Sequence, residues 1–220
     1  MNNTSHVSAL LFDLDGVLLS TDRYHYLAWK SLADDLKIPF NERDNEQFRG
    51  VSRMDCLDIL LKKLPDRSFT DAEKIALATI KNDRYRKLLA DLSPASVADE
   101  VRSTLAELHR RGYRMAVGSA SKNTRFILER TDLLSLFDGV ADGNDVQRSK
   151  PDPEVFLKAA SLLGADPAYC AVIEDAEAGL LAATRGGMLP VAIGSATQSP
   201  LAAIKLDGFS DLLKYFPKGE

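Results

Sequence analysis

Short apolar runs alternate with amphipathic stretches over most of the chain. The run Leu10-Leu11-Phe12 passes into Asp13-Leu14-Asp15-Gly16-Val17, the pattern of a buried strand that stops at a functional edge. Helical spacing follows, with Tyr24, Leu27, Ala28, Ser31 and Leu32 recurring at three and four and Pro39 expected to stop the helix. A short polar stretch leads through Phe48-Arg49-Gly50-Val51 to Ser52, which reads as the N-cap of a helix over Cys56, Leu57, Leu60 and Leu61 that Pro65 ends. Thr70 with Glu73 makes a capping box for a long helix reaching about Leu89. No strand is expected between Leu19 and Ser93.

The alternation then resumes. A helix through Val101, Leu105 and Leu108 ends at Gly112, and Tyr113–Gly118 is the second strand. Ser119-Ala120-Ser121-Lys122-Asn123 opens a helix over Phe126, Ile127 and Leu128, and a third strand is expected near Gly139–Asp142. After Lys150-Pro151 comes a helix through Phe156, Ala159 and Leu162, then strands at Cys170–Ile173 and Leu189–Ile193 separated by a helix from Ala176 to Arg185. A short edge strand at Ala203–Leu206 and a closing helix from Ser210 complete the chain. Strands alternating with helices predict an α/β fold, a doubly wound parallel sheet of Rossmann-like type with right-handed crossovers. Residues 1–20 and 94–220 form its core domain. The helical block 21–93 is an inserted cap expected over the carboxyl edge of the sheet, with Ser20–Thr21 and Ser93–Ala95 as candidate hinges.

Composition narrows the classes. Hydrophobic content of 45% and charged content of 27% over 220 residues are ordinary for a soluble globular protein. The net charge of −4 argues against a general nucleic-acid binder. Cys56 and Cys170, far apart, read as buried reduced thiols, and neither a signal peptide nor a membrane-length apolar run is present, so a soluble cytoplasmic monomer is expected.

The candidate chemistry sits at strand ends. Asp13 and Asp15 are two residues apart, so in extended chain they point the same way while Leu14 points into the core. Two like charges side by side call for a cation or a shared proton. Taken alone, this stretch is equally well a strand ending in an Asp-Gly turn. Three further strand ends break the tie: Ser119 after the second, Lys150 after the third, and Glu174-Asp175 after the fourth. Singly each is ordinary, as a cap, a solvated loop lysine or a helix-start acid pair. Jointly they make a phosphoryl-transfer site. Asp175 with Glu174 can complete an oxygen shell for Mg²⁺, and Lys150 adds charge on the phosphate oxygens. Ser119 and the free amides of the turn beginning at Ala120 can hydrogen-bond the phosphate. Asp13 would attack phosphorus to give an aspartyl phosphate, and Asp15 would serve as general acid/base.

Asp13-Leu14-Asp15-Gly16-Val17, Ser119, Lys150-Pro151 and Glu174-Asp175 resemble the four motifs of haloacid dehalogenase-like phosphotransferases, in order and over nearly the whole chain. Within that superfamily Tyr24-His25, Ala28-Trp29-Lys30, Gly50-Val51-Ser52-Arg53, Lys81-Asn82 and Ser119–Asn123 resemble the β-phosphoglucomutase branch. The resemblance implies Asp13 as nucleophile, Asp15 as acid/base, and Mg²⁺ held by Asp13, the Asp15 carbonyl and Asp175 with Glu174 nearby. It also implies interconversion of β-glucose 1-phosphate and glucose 6-phosphate through β-glucose 1,6-bisphosphate. A bisphosphate needs a second anion site, which Arg53 can supply bidentately and Ser121, Lys122 and Asn123 can supply at a helix start. The resemblance suggests that His25 and Lys81 couple sugar binding to Asp15, and the cap set further comprises Thr21, Trp29, Arg49, Gly50 and Ser52, with Trp29 read as cap core. Two departures stand out: Arg49 replaces the usual Lys, and Ser20 and Asp22 differ from the usual run around Thr21. A sugar-phosphate phosphatase of the same superfamily is the alternative, and a non-catalytic phosphosugar-binding module a more distant one.

Overall fold

A computed structural model of the chain describes residues 4, 6–48 and 51–217. Arg49 and Gly50, both assigned to the substrate set from sequence, lie outside the described residues. The chain divides into two compact units, Met1–Ser20 with Leu92–Glu220, and Thr21–Asp91.

The first unit is built on six strands: β1 (Ala9–Phe12), β2 (Arg114–Gly118), β3 (Gly139–Ala141), β4 (Cys170–Glu174), β5 (Leu189–Ala192) and β6 (Ile204–Lys205). Their order is β3-β2-β1-β4-β5-β6, and every neighbouring pair is parallel. The doubly wound parallel sheet expected from the alternation is the one observed. The order reverses beside β1, which pairs with β2 on one side and β4 on the other, and such a switch point leaves a crevice at the carboxyl ends. Helices α1 (Asp22–Asp35), α2 (Glu42–Glu46), α3 (Arg53–Leu61) and α4 (Asp71–Leu89) belong to the second unit. Helices α5 (Asp99–Arg110), α6 (Thr124–Arg130), α7 (Glu154–Leu162), α8 (Glu177–Arg185) and α9 (Leu212–Tyr215) belong to the first.

Strand periodicity sorts the core of the sheet unit. Ala9 and Leu11 of β1 pack in one cluster with Ala116, Val172, Val155, Phe156 and Ala183, and the alternate residue Phe12 meets Phe137 and Phe209 with ring centroids 5.9 and 6.0 Å away. All four β1 residues are fully buried, as a central parallel strand requires.

The helical unit has its own core of Trp29, Leu32, Phe40, Phe48, Leu57, Leu60 and Ala78. Ser52 caps α3 by accepting the Asp55 amide, and Thr70 and Glu73 form the reciprocal box of α4. Three boundaries differ from expectation. Helix α1 stops at Asp35 rather than at Pro39, because Lys37 takes a left-handed φ of 58° and the Ile38 amide closes back onto Ala33. Helix α3 ends at Leu61, ahead of Pro65. The polar stretch after Pro39 contains α2, five residues started by an Asn41–Asp44 capping box. Among the described residues no strand lies between Leu19 and Ser93, and no helix is long and apolar enough to cross a membrane.

Candidate active site

Register places the first two pieces. Phe12 pairs with Ile173, and the Asp13 amide donates to the Ile173 carbonyl at 3.0 Å, so pairing runs one residue past β1 and brings Asp13 beside the end of β4. Lys150, from the loop after β3, donates to Asp13 Oδ1 and to Glu174 Oε1, each at 2.6 Å. Its side chain is 4% exposed and its ammonium lies 4.5 Å from the centre of the Phe156 ring. Burial alone would lower the Lys150 pKa, but the two carboxylates outweigh it and hold the group above its ordinary value. The ammonium is therefore a fixed charge.

Three carboxylates converge here. Asp13, Glu174 and Asp175 each place an oxygen within 4.8 Å of the others. One ammonium against three carboxylates leaves negative charge uncompensated. Burial, reinforced by Glu174, Asp13 and Asp15 and opposed by Lys150, pushes the Asp175 carboxyl up to about 7. The Asp175 side chain accepts no hydrogen bond among the described residues, whereas Glu174 is engaged through Oε1 by Lys150 and through Oε2 by the Ala176 amide at 2.9 Å. A hard divalent cation fits this set, with oxygen donors only, surplus negative charge and one carboxylate unengaged.

Asp15 departs from the simple expectation. Strand β1 ends at Phe12, and Asp15 lies beyond it in an isolated bridge to Leu19; its carboxylate is not one of the three. It remains close enough to act on Asp175. Gly16 has φ of 78°, and a Cβ there would stand 2.0 Å from Asp175 Oδ2, so this backbone can touch the carboxylate only as glycine. Gly179 does the same inside α8, where a Cβ would fall 1.9 Å from Glu174 Oε1. The sequence reading missed Gly179. An isolated glycine within a helical pattern was its signal.

Ser119 follows β2 and is 4% exposed; its amide donates to the Ala141 carbonyl at 3.1 Å. Its Oγ accepts the Ser121 amide at 3.2 Å, and Ser121 Oγ accepts the Asn123 amide at 3.2 Å, so two hydroxyls fold the turn Ser119–Asn123 ahead of α6. Ala120 and Ser121 are partly exposed, Lys122 is exposed, and Asn123 is buried.

The remaining predicted residues are in the helical unit. Arg53 begins α3, is partly buried, and forms no salt bridge among the described residues; burial lowers its pKa against weak support from Tyr85 and Asp83. Ser52 is occupied with Asp55. Lys81 is 2% exposed, 2.9 Å from His25 Nδ1, and lies over the rings of Trp29 and Tyr85 at 4.7 and 4.6 Å. An ammonium can only donate, so Nδ1 accepts and the imidazole is neutral. Burial, then the Lys81 and Arg53 charges, hold His25 well below the usual 6.5. The His25 and Tyr85 rings stack at 4.1 Å, and Thr21 Oγ meets the Tyr85 hydroxyl at 2.7 Å. Trp29, 2% exposed and edge-on to Phe48, is core.

Fold and site together define an α/β protein with a carboxylate–lysine centre at the switch point of its sheet and a separate helical unit inserted after the first strand. The family model for haloacid dehalogenase-like hydrolases matches residues 7–187, and the chain belongs to that family. It is 38% identical over 189 residues to a β-phosphoglucomutase of Bacillus subtilis (strain 168), covering 86% of this chain and 84% of that one. A fructose-1-phosphate phosphatase of Escherichia coli (strain K12) is 29% identical over 182 residues, covering 82% and 93%. Among solved structures, β-phosphoglucomutase from Clostridium difficile superposes with a TM-score of 0.88 at 33% identity, covering 94% of this chain and 93% of that one.

Two predictions follow from the geometry. Gly179→Ala must displace a Glu174 carboxylate pinned from two sides; we expect a loss of about 1–3 kcal/mol in urea unfolding and at least about tenfold weaker divalent-cation binding by calorimetry. His25, facing Lys81, Arg53 and Tyr85, takes up a proton less readily in the native protein than in the unfolded chain, so it costs stability as pH falls below about 6.5. Asp175 works in the opposite sense over part of this range, so the difference between wild type and His25→Asn isolates the histidine. Between pH 7.5 and 5.5 the wild type should lose about 1 kcal/mol more than the variant in urea titrations.

Proposed function

We propose that the protein interconverts β-glucose 1-phosphate and glucose 6-phosphate by phosphoryl transfer through an aspartyl-phosphate enzyme and β-glucose 1,6-bisphosphate. The observation that carries this reading is the presence of two anion-binding groups in one chain. Lys150 bonds Asp13 in the sheet unit, where the turn Ser119–Asn123 follows β2, the strand paired with β1, and Arg53, which forms no salt bridge among the described residues, begins α3 in the helical unit. Hydrolysis of a monophosphate needs one such group; a bisphosphate intermediate needs two. The likeness to β-phosphoglucomutases supports the same choice.

Asp13 is the nucleophile. Lys150 holds one of its oxygens, and the other makes no hydrogen bond among the described residues. A bond forms between that carboxylate and phosphorus while the phosphorus bond to the sugar oxygen breaks, giving the aspartyl phosphate. Asp15 gives its proton to the departing sugar oxygen and takes one from the hydroxyl that attacks in the return step. Lys150, Ser119 and the turn that follows it, with Ser121, Lys122 and Asn123 at the start of α6, supply anion-binding groups in the sheet unit, and Arg53 supplies one in the helical unit. Mg²⁺, held by Asp13, Asp175 and the Asp15 carbonyl with Glu174 nearby, would offset the negative charge of the phosphate and carboxylates. His25 and Lys81 link sugar binding to Asp15. The free thiols of Cys56 and Cys170 fit a reducing cytoplasm.

The deciding assay follows glucose 6-phosphate formation from each anomer of glucose 1-phosphate, with bisphosphate as primer and with or without Mg²⁺. Formation confined to the β anomer and dependent on Mg²⁺ is expected, with phosphate release slow beside it; rapid release without isomerisation would make the protein a sugar-phosphate phosphatase. Arg53→Ala should lower isomerisation by about 100-fold, in line with about 3 kcal/mol for a lost charge-assisted pair, and reduce acetyl phosphate hydrolysis far less. Equal losses in both assays would assign Arg53 to the fold.

A further inference from the structure

The turn Ser119–Asn123 owes its shape to the loop that follows β3. The Gly143 amide donates to the Ser121 carbonyl at 3.3 Å, and Asn144 Nδ2 donates to the Lys122 carbonyl at 3.1 Å. The Asn144 side-chain amide also donates to Asp142 Oδ1 at 2.9 Å, and the Asn144 backbone amide reaches the same oxygen at 2.8 Å. Asp142 is 2% exposed and is itself fixed, since its own amide donates to Asp145 Oδ2 at 2.9 Å. One donor of the Asn144 amide is thus anchored on a buried carboxylate while the other holds the Lys122 carbonyl. Gly143 permits the approach: a Cβ there would stand 2.3 Å from the Ala120 carbonyl oxygen.

Peptide planarity turns this contact into an orientation. In a trans peptide the C=O of one residue and the N–H of the next point in opposite directions. The Ser121 carbonyl is shared between Gly143 and Thr124 Oγ at 2.7 Å, whereas the Lys122 carbonyl is drawn to the β3 loop by Asn144, which turns the Asn123 amide to the other side. The Asn123 amide is met by Ser121 Oγ, whereas the amides of Ala120 and Lys122 have no partner among the described residues.

We propose that Asn144 is a positioning residue for phosphate, its side-chain amide fixing the Lys122–Asn123 peptide plane, and through the Asn123 amide the Ser121 hydroxyl that accepts it, so that this hydroxyl and the neighbouring amides meet the anion together. The inference rests on the reading of that turn as a phosphate site. Asn144 touches the turn and not the reacting atoms. It is exposed, so water competes for its hydrogen bonds and the effect is moderate.

The test uses the full chain, isotope-labelled, titrated with inorganic phosphate and followed at the amide resonances of Ala120, Lys122 and Asn123. In the wild type these shift on binding. Asn144→Ala should raise the phosphate Kd about 3- to 10-fold, and Asn144→Asp, which turns a carboxylate toward the Lys122 carbonyl and Asp142, should raise it further. In turnover with the bisphosphate, KM should rise by more than kcat falls in both variants, with thermal midpoints near that of the wild type. Wild-type affinity in both variants, or loss of fold in both, would overturn the role of Asn144 while leaving the phosphate site standing. Wild-type amides indifferent to phosphate would overturn the phosphate site itself, and the inference with it.

Discussion

The centre depends on a single ammonium shared between two buried carboxylates. Lys150 bridges Asp13 and Glu174, each at 2.6 Å, with its side chain 4% exposed. Removing one partner from such an arrangement typically costs about 3–5 kcal/mol, because the charge left behind has no water to turn to. The sheet makes the crowding unavoidable: β1 and β4 are paired in register through the last residue of β1, so the acids that follow cannot drift apart. Behind the ammonium lies Phe156, which reaches its place only because Gly118 has no side chain; a Cβ at that position would stand 2.7 Å from the ring. A glycine ending β2 thus helps seat a lysine from the loop after β3 against acids from β1 and β4.

The helical unit follows the opposite electrostatic plan. Lys81 is buried among aromatic rings with a neutral histidine as hydrogen-bond acceptor, and Arg53 forms no salt bridge among the described residues. The π faces of Trp29 and Tyr85 stabilise the ammonium without neutralising it. In the sheet unit the surplus among the described residues is negative and suits a cation.

How much of this was legible in the sequence depends on what each residue needs. The acids and Lys150 need only topology: parallel strands deliver their carboxyl ends to one edge, so Asp13, Lys150, Glu174 and Asp175 could be gathered from three strand ends by sequence alone. Strand β1 stops at Phe12, so the ladder that period-two reasoning assumes does not extend to Asp15, which sits in an isolated bridge to Leu19. Helix α2 was missed because five residues cannot display a helical period, although its capping box was present in Asn41 and Asp44. The end of α1 was set by a left-handed lysine, a conformation that neither propensity nor the nearby proline announces. Gly179, Gly143 and Asn144 escaped for a different reason: their roles lie in what approaches them, and the approaching atoms come from elsewhere in the chain.

Glu174 and Asp175 show how far adjacency in sequence can mislead about chemistry. Both carboxylates reach the cluster with Asp13, but one is engaged by the lysine and the Ala176 amide while the other is not. Glu174 is saturated, with Oε1 on Lys150, Oε2 on the Ala176 amide, and a glycine of α8 against its flank. The Asp175 carboxylate accepts no hydrogen bond from any described residue, and burial with three neighbouring acids pushes it up to about 7. A saturated acid orients, and an unsatisfied one binds. The pair thus divides into an acid that fixes Lys150, and through it Asp13, and an acid that waits for a cation, with local environment and not residue type assigning the roles.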